Sequence, residues 1–317
     1  MAQQTPHEPQ SARSVLMVRP ARFGANPATA ESNAFQARTL DEPVAAVRAR
    51  VAQEFDALAA ALSAVGVEVC IATDTPDPEK PDAVFPNNWV SFHSDGTIVL
   101  YPMLAPNRRP ERRLDLLQEL AARHQFRIGR TLDLSDHEQR DQYLEGTGSL
   151  VLDRVNRIAF AALSPRTHLD ALGDFAQQLD YEVVSFEAFN AAGVAIYHTN
   201  VLMCVGERFA VLCTDAIADE TRARAVVRIL ETSGHEVVTI TASQLTTFAG
   251  NMLELENQRG EKVLVMSSAA ERSLDVQQRQ RLAAHASLVA VEIPTIEHYG
   301  GGSVRCMLAE LHLPRRK

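Results

Sequence analysis

Short apolar runs separated by polar turns recur along this chain, each pair followed by a helix-period stretch and a third apolar run. One copy has Trp89-Val90-Ser91-Phe92, a turn at Asp95-Gly96 and Ile98-Val99-Leu100-Tyr101, then a helical stretch over 111–124. Asp-Gly between apolar runs is a strong hairpin signal. The next has Ser149-Leu150-Val151-Leu152, a second run at 157–162, a helix opened by Ser164-Pro165 and running to 179, and a strand at 181–186. A third has Val201-Leu202-Met203-Cys204-Val205, the turn Gly206-Glu207-Arg208, a run at 209–213, a helix over 218–233 stopped by Gly234, and a strand at 236–240. A fourth has Met252-Leu253-Glu254-Leu255, a turn at Arg259-Gly260, a run at 262–266, a helix near 276–285 and a strand at 288–293. The ends supply a split fifth unit. Val15-Leu16-Met17-Val18, a helix over 43–65 and a strand at 67–72 come from the front, and a strand at 304–311 comes from the back.

The repeat is about 50–60 residues long, the range of arrays and propellers. Pairing the two chain ends closes a ring and hides a sheet edge. The expected class is therefore α/β, a five-bladed α/β propeller of ββαβ units around a central site. A doubly wound βαβ sheet is the rival, and the tight hairpins argue against it, because parallel strands need crossovers. Residues 1–12 are polar with Pro6 and Pro9 and read as a disordered tail, leaving 13–317 as one propeller domain.

Equivalent positions of a propeller meet at its axis. Just before, or at the start of, the first strand of each unit stand Asn87-Asn88, Glu145, His198 with Asn200, Asn251, and Cys306. Singly, each has a bland reading: a turn, a loop acid, a structural imidazole, a core thiol. Five at matching places point to one site. A thiol, an imidazole and a carboxylate are what a cysteine hydrolase needs as nucleophile, proton carrier and orienting group. Cys306 differs from Cys70, Cys204 and Cys213, which lie in apolar runs, because it follows Gly300-Gly301-Gly302. That glycine run lacks the Lys-Ser/Thr of a phosphate loop and enters a strand-like segment.

Composition narrows the classes. The chain has 317 residues, 46% of them hydrophobic, and a formal net charge of -9. No basic tract suits nucleic acid; Arg315-Arg316-Lys317 reads as a solvated end. No apolar stretch nears the ~20 residues of a membrane span, and the first dozen residues have no signal-peptide core. A cytoplasmic protein is expected. No cysteine pair has Cys-x2-Cys spacing, so no metal is expected.

Glu145-Gly146-x-Gly148, His198-x-Asn200 and the Gly-Gly-x-x-x-Cys306 terminus resemble the guanidino-group-modifying superfamily of arginine deiminases, dimethylargininases and amidinotransferases, whose fold is a five-bladed α/β propeller. Val18-Arg19-Pro20, Phe23-Gly24, the run Asp82 to Trp89 and Ala249-Gly250-Asn251-Met252-Leu253 are similar to the citrulline-utilisation hydrolase branch. The resemblance implies Cys306 as nucleophile, His198 as general acid/base and Glu145 as the acid that orients imidazole and substrate. Ala105-Pro106-Asn107-Arg108-Arg109 and Ser164-Pro165-Arg166-Thr167 resemble the runs that hold the substrate carboxylate in dimethylargininases, which implies that role for Arg108 and Arg166. Arg109 and Arg112 read as a solvated helix face.

Where the family's enzymes on guanidinium substrates carry Asp, this chain has Asn88 and Asn200. A carboxamide is neutral and both donates and accepts, which suits a ureido group. The expected reaction is therefore hydrolysis of citrulline to ornithine, ammonia and carbon dioxide through a thiocarbamoyl enzyme, without cofactor. Asn87, Asp82, Asn251 and Phe23 complete the expected substrate site. Phe23 is the apolar cover of a loop hinged at Gly24. Asp82 and Glu145 keep a guanidino substrate (arginine deiminase or dimethylargininase) open. An amidinotransferase and a non-catalytic ligand-binding propeller are the remaining alternatives. The expected partner is a small-molecule amino acid, and a homo-oligomer is compatible with the sequence.

Overall fold

The computed structural model describes residues 8–316. Strands β1 (Ser14–Arg19) and β2 (Glu68–Thr73) pair in parallel across the helix Val44–Ala64. Three strands follow in each of four units: β3 (Val90–Phe92), β4 (Thr97–Leu100) and β5 (Arg130–Asp133); β6 (Val151–Asp153), β7 (Ile158–Leu163) and β8 (Glu182–Glu187); β9 (Met203–Val205), β10 (Phe209–Leu212) and β11 (Glu236–Thr239); β12 (Leu253–Glu256), β13 (Lys262–Ser267) and β14 (Ser287–Val291). Within each unit the first pair is antiparallel and the second parallel. The last strand, β15 (Ala309–Glu310), returns to β1 with Val15 opposite Glu310 and Leu16 opposite Ala309. The chain ends thus share one sheet, and five three-stranded sheets form the propeller.

Local chemistry explains the units. Asp95 closes the first hairpin by accepting from the Thr97 amide and hydroxyl, both at 2.8 Å. The helix Val44–Ala64 buries Val47, Val51, Phe55, Leu58 and Leu62, an i, i+4, i+8 row with its i+3 neighbour. Each such side chain contributes about 1.5–3 kcal/mol relative to exposure. The first strands of neighbouring units pack on one another, β15 on β3, β6 on β9 and β9 on β12, so they surround the axis.

Three expectations need correction. Residues 8–12 are not a free tail: Glu8, Gln10, Ser11 and Ala12 are buried. Glu8 pairs with Arg154 at 2.8 Å and Arg157 at 3.0 Å, and Gln10 donates to the carbonyls of Leu152 and Val205. Residues 1–7 lie outside the described residues. Second, Ser164-Pro165 does not open a helix. Thr167 donates back to Ser164 in a tight turn, and the helix is Leu169–Leu179, capped by His168. Third, Cys306 is not in a strand but in the helical turn Val304–Met307. Runs this short carry no periodicity that separates a turn of helix from a strand.

Candidate active site

Four helical turns stand just ahead of the innermost strands: Pro86–Asn88 before β3, Gly146–Ser149 before β6, Thr199–Leu202 before β9 and Val304–Met307 before β15. They pack on one another at one end of the axis. Each carries or adjoins a residue singled out in the sequence: Asn87 and Asn88; Glu145; His198 and Asn200; Cys306. Two glycines allow the close approach. Gly146 has φ +48°, and a Cβ there would lie 2.2 Å from the Asn87 carbonyl; a Cβ on Gly148 would lie 2.6 Å from Asn88 Nδ2 and 2.7 Å from His198 Nδ1.

Glu145 and His198 are both buried, with His198 Nε2 2.9 Å from Glu145 Oε2. The other carboxylate oxygen accepts from the Leu104 amide at 3.1 Å, and Arg166 Nη1 donates to Oε2 at 3.3 Å. Burial by itself would push the Glu145 carboxyl up. Arg166, the His198 hydrogen bond and Arg108 outweigh burial and hold it well below the usual carboxylate range. Burial pushes His198 down to about 4, with Arg166 and Arg108 opposing the pull of Glu145. The pair rests as carboxylate and neutral imidazole, and the carboxylate stabilises an imidazolium once the ring takes a proton.

Cys306 is buried, and its Sγ receives Asn200 Nδ2 at 3.5 Å and Asn251 Nδ2 at 3.4 Å. Asn251 is itself held by the Asn200 carbonyl and the Arg305 amide. Two carboxamides thus donate to one sulfur and fix its position.

A narrow cavity opens beside Sγ, lined by Thr29, Asn33, Asp82, Phe85, Asn88, Arg108, Arg166, Tyr197, His198, Gly300, Gly301, Gly302 and Cys306. Arg166 donates to the Thr29 carbonyl and the Ser32 hydroxyl, and its guanidinium lies over the Tyr197 ring. Arg108 is gripped by Glu111 through Nε at 3.0 Å and Nη2 at 2.9 Å, and donates from Nη1 to Asn88 Oδ1 at 2.9 Å. Burial pushes Glu111 up to about 7 against the pull of Arg108. Asp82 accepts from Asn26 and Thr29 on Oδ2, while its buried Oδ1 has no protein partner.

The structure thus gathers Cys306, His198, Asn88, Arg108, Arg166 and Asp82 at one cavity, with Glu145 behind His198 and with Asn200 and Asn251 touching Sγ but not lining it. Asn87 stands behind Asn88, accepting its Nδ2 at 3.0 Å. Phe23 is buried but does not line the cavity; it packs near Gly300. Thr29 and Asn33 cover the site instead, from the segment that follows the expected lid loop. Asn33 and Tyr197 both donate to the Gly301 carbonyl, fastening that segment to the glycine run. Sequence reasoning missed Thr29, Asn33, Tyr197 and Glu111. Only the spacing Arg108 to Glu111, i to i+3, carried a local signal. Arg109 and Arg112 are not freely solvated; both pair with Glu138.

The family model described as N,N dimethylarginine dimethylhydrolase, eukaryotic, matches residues 19–313. The chain belongs to this family. No curated protein matches it. Among solved structures it is similar to the N-terminal domain of ArgZ bound to substrate, an arginine dihydrolase from the ornithine-ammonia cycle in cyanobacteria. That match has 17% identity and a TM-score of 0.72, and covers 95% of this chain and 99% of that one. It is also similar to AgrE in complex with L-arginine, at 18% identity and a TM-score of 0.71, covering 96% of this chain and 41% of that one. A dimethylarginine dimethylaminohydrolase adduct with S-methyl-L-thiocitrulline matches at 15% identity and a TM-score of 0.63, covering 95% and 100%. At these identities the likeness is one of fold, the pentein propeller of the guanidino-modifying superfamily. The family matched is the dimethylarginine hydrolase one, whereas the run from Asp82 to Trp89 and that from Ala249 to Leu253 pointed to a citrulline branch.

The buried imidazole has a consequence for stability. His198 binds a proton in the unfolded chain near pH 6.5 but in the fold only near pH 4. Between these values the unfolded state holds more protons, so stability falls as pH falls. Chemical denaturation followed from pH 7 to pH 4 should show a loss of up to about 3 kcal/mol from this group. His198→Gln should flatten that slope, and an unchanged slope would remove His198 as its source.

Proposed function

We propose that this protein hydrolyses the terminal carbon–nitrogen bond of a guanidino amino acid of the arginine class, with Cys306 as nucleophile. The observation that carries the proposal is the cavity beside Cys306 Sγ that His198, held by Glu145, also lines. Family membership supports the substrate class. In this mechanism the Cys306 thiol passes its proton to the neutral His198 ring, and the sulfur attacks the guanidino carbon. The tetrahedral adduct expels the terminal amine, which takes a proton from the His198 ring, and an amidino thioester remains on sulfur. Water gives its proton to His198 and attacks the same carbon. The carbon–sulfur bond breaks, releasing a ureido amino acid, and the sulfur recovers its proton from His198. Arg108 and Arg166 supply positive charge along the cavity for the substrate carboxylate, and the orphan Asp82 Oδ1 offers an acceptor for its ammonium.

The second reading is citrulline itself, favoured by the neutral carboxamides of Asn88, Asn200 and Asn251 near Sγ. There the thiolate attacks the ureido carbon and ammonia leaves. Water then releases a carbamate, which falls to ornithine and carbon dioxide.

Purified protein should be given arginine, N,N-dimethylarginine and citrulline in parallel, with amine release and amino-acid products measured. Consumption of arginine or its methylated form supports the proposal. Consumption of citrulline alone replaces it with the second reading, and no turnover of any of the three rejects both. Asn88→Asp should raise the guanidino-to-ureido ratio of kcat/KM by about tenfold or more, because a carboxylate favours a cation and disfavours a carbonyl. An unchanged ratio would mean that Asn88, already bonded to Arg108, reads neither.

A further inference from the structure

Glu68 and Cys70 are two residues apart on β2, so their side chains leave the same face of the strand. The helix Leu114–Arg123 of the neighbouring unit ends over this face. The residue capping its C-terminus, His124, brings Nδ1 to 3.4 Å from Glu68 Oε1. Cys70 Sγ is 3.9 Å from the same oxygen, and the three ligand atoms all lie within 4.8 Å of one another. A tetrahedral zinc ion with Zn–S near 2.3 Å and Zn–N and Zn–O near 2.0–2.2 Å would set N···O about 3.4 Å and S···O about 3.6 Å apart. The first separation is already met, and the second needs a few tenths of an ångström.

The remaining contacts also suit a ligand site. Glu68 turns its other oxygen, Oε2, to Arg315, and Arg315 Nη1 holds the His124 carbonyl at 2.5 Å while the guanidinium lies 4.2 Å over the Phe126 ring. Arg315, which reads as a solvated end in the sequence, therefore orients two of the three ligands from behind. Cys70 is fully buried, whereas the Glu68 and His124 side chains are 29% and 23% exposed, so the open side of the triad faces solvent.

We propose that Glu68, Cys70 and His124 form a binding site for a borderline-soft divalent cation, zinc(II) first among them, with water in the fourth position. The ion stitches β2 to the helix of the next unit, on strands remote from the axis. Burial and the Glu68 charge push the Cys70 thiol up to about 12, so binding displaces its proton. The resulting thiolate and the Glu68 carboxylate together balance the two charges of the ion. Single cysteines in an apolar run carry no metal signature in sequence, because the ligands come from two units.

The test uses full-length protein carrying Cys306→Ala, which removes the catalytic thiol as a competing ligand. Chelator-treated protein is titrated with zinc(II) by calorimetry and with cobalt(II) by absorbance. One equivalent of each should bind, and cobalt should give a thiolate-to-metal charge-transfer band. Adding Cys70→Ala should abolish that band and weaken zinc binding by about a hundredfold or more. His124→Ala, at a partly exposed position, should weaken it by about tenfold or more. Zinc affinity should fall as pH falls, because the ligands must shed protons. No binding, or binding that survives both substitutions unchanged, overturns the proposal. Neither result depends on the reaction catalysed at Cys306.

Discussion

Cys306→Ser abolishes turnover of guanidino and ureido substrates alike while leaving the fold in place. The serine hydroxyl is the right size for the space between Asn200 and Asn251, and those carboxamides can donate to oxygen as they do to sulfur. Buried side chains are fully partnered after the change, so the cost in stability should stay within about 1 kcal/mol. The chemistry does not survive. A hydroxyl is far harder to deprotonate than a thiol, and the neutral His198 beside it is a weak base at about 4. The rate should fall by on the order of 10⁴-fold or more, as when a nucleophile is removed from a catalytic unit. Paired measurements decide it: steady-state turnover, and labelling of one thiol by a haloacetamidine in the parent with none in the variant. A serine variant within tenfold of the parent would end the covalent scheme. A variant that is inactive but also unfolded at room temperature would show that Sγ holds the turn Val304–Met307 together.

Much of this site was legible because repetition made it so. Four hairpins with helices after them, and a fifth unit split between the chain ends, dictate a ring, and a ring brings the residues before each first strand to one axis. Cys306, His198, Glu145 and Asn88 needed nothing more. Three kinds of feature were not legible. The helical turns that carry these residues are three or four residues long, too short for any period to show. The cover of the site, Thr29 in the helical turn Pro27–Ala30 and Asn33 just after it, has its partners, Arg166 and Gly301, more than a hundred residues away. The segment 8–12 looked like a tail because its composition is polar. It is ordered by charge: Glu8 meets Arg154 and Arg157, and burial of that carboxyl is tolerated because Arg154 and the His93 hydrogen bond hold it ionised. Long-range ion pairs leave no mark in a hydropathy pattern. The same limit applied at Arg108. The sequence assigned it to the substrate carboxylate, whereas Glu111 and Asn88 already occupy most of its donors.

Glu145→Gln should damage activity and stability together, and the balance of charges says why. The carboxylate is fully buried and is met by Arg166 at 3.3 Å, by His198 at 2.9 Å and by Arg108 at 3.9 Å. Glutamine keeps the volume and can still accept from the Leu104 amide, but it removes the one negative charge shared by two buried guanidinium groups. Arg108 retains Glu111 and Asp82, whereas Arg166 meets no second carboxylate among the described residues. Leaving a buried charge without its partner costs about 3–5 kcal/mol. The same change takes away the group that raises the His198 pKa, so the ring becomes a still weaker base and its cationic form loses its counter-charge. Turnover should fall by about 10²–10⁴-fold, the range of a disabled general acid/base. The two effects separate by pH. In the parent, Glu145 titrates below its usual range, so its stabilisation is complete above about pH 4.5 and is lost as pH falls towards the lower folded value. In the glutamine variant that loss has already occurred at neutral pH, and the gap between the two proteins should narrow on acidification. Denaturation curves at pH 7 and pH 4 measure this. A variant as stable as the parent at pH 7, with turnover intact, would mean that Glu145 neither neutralises Arg166 nor serves His198.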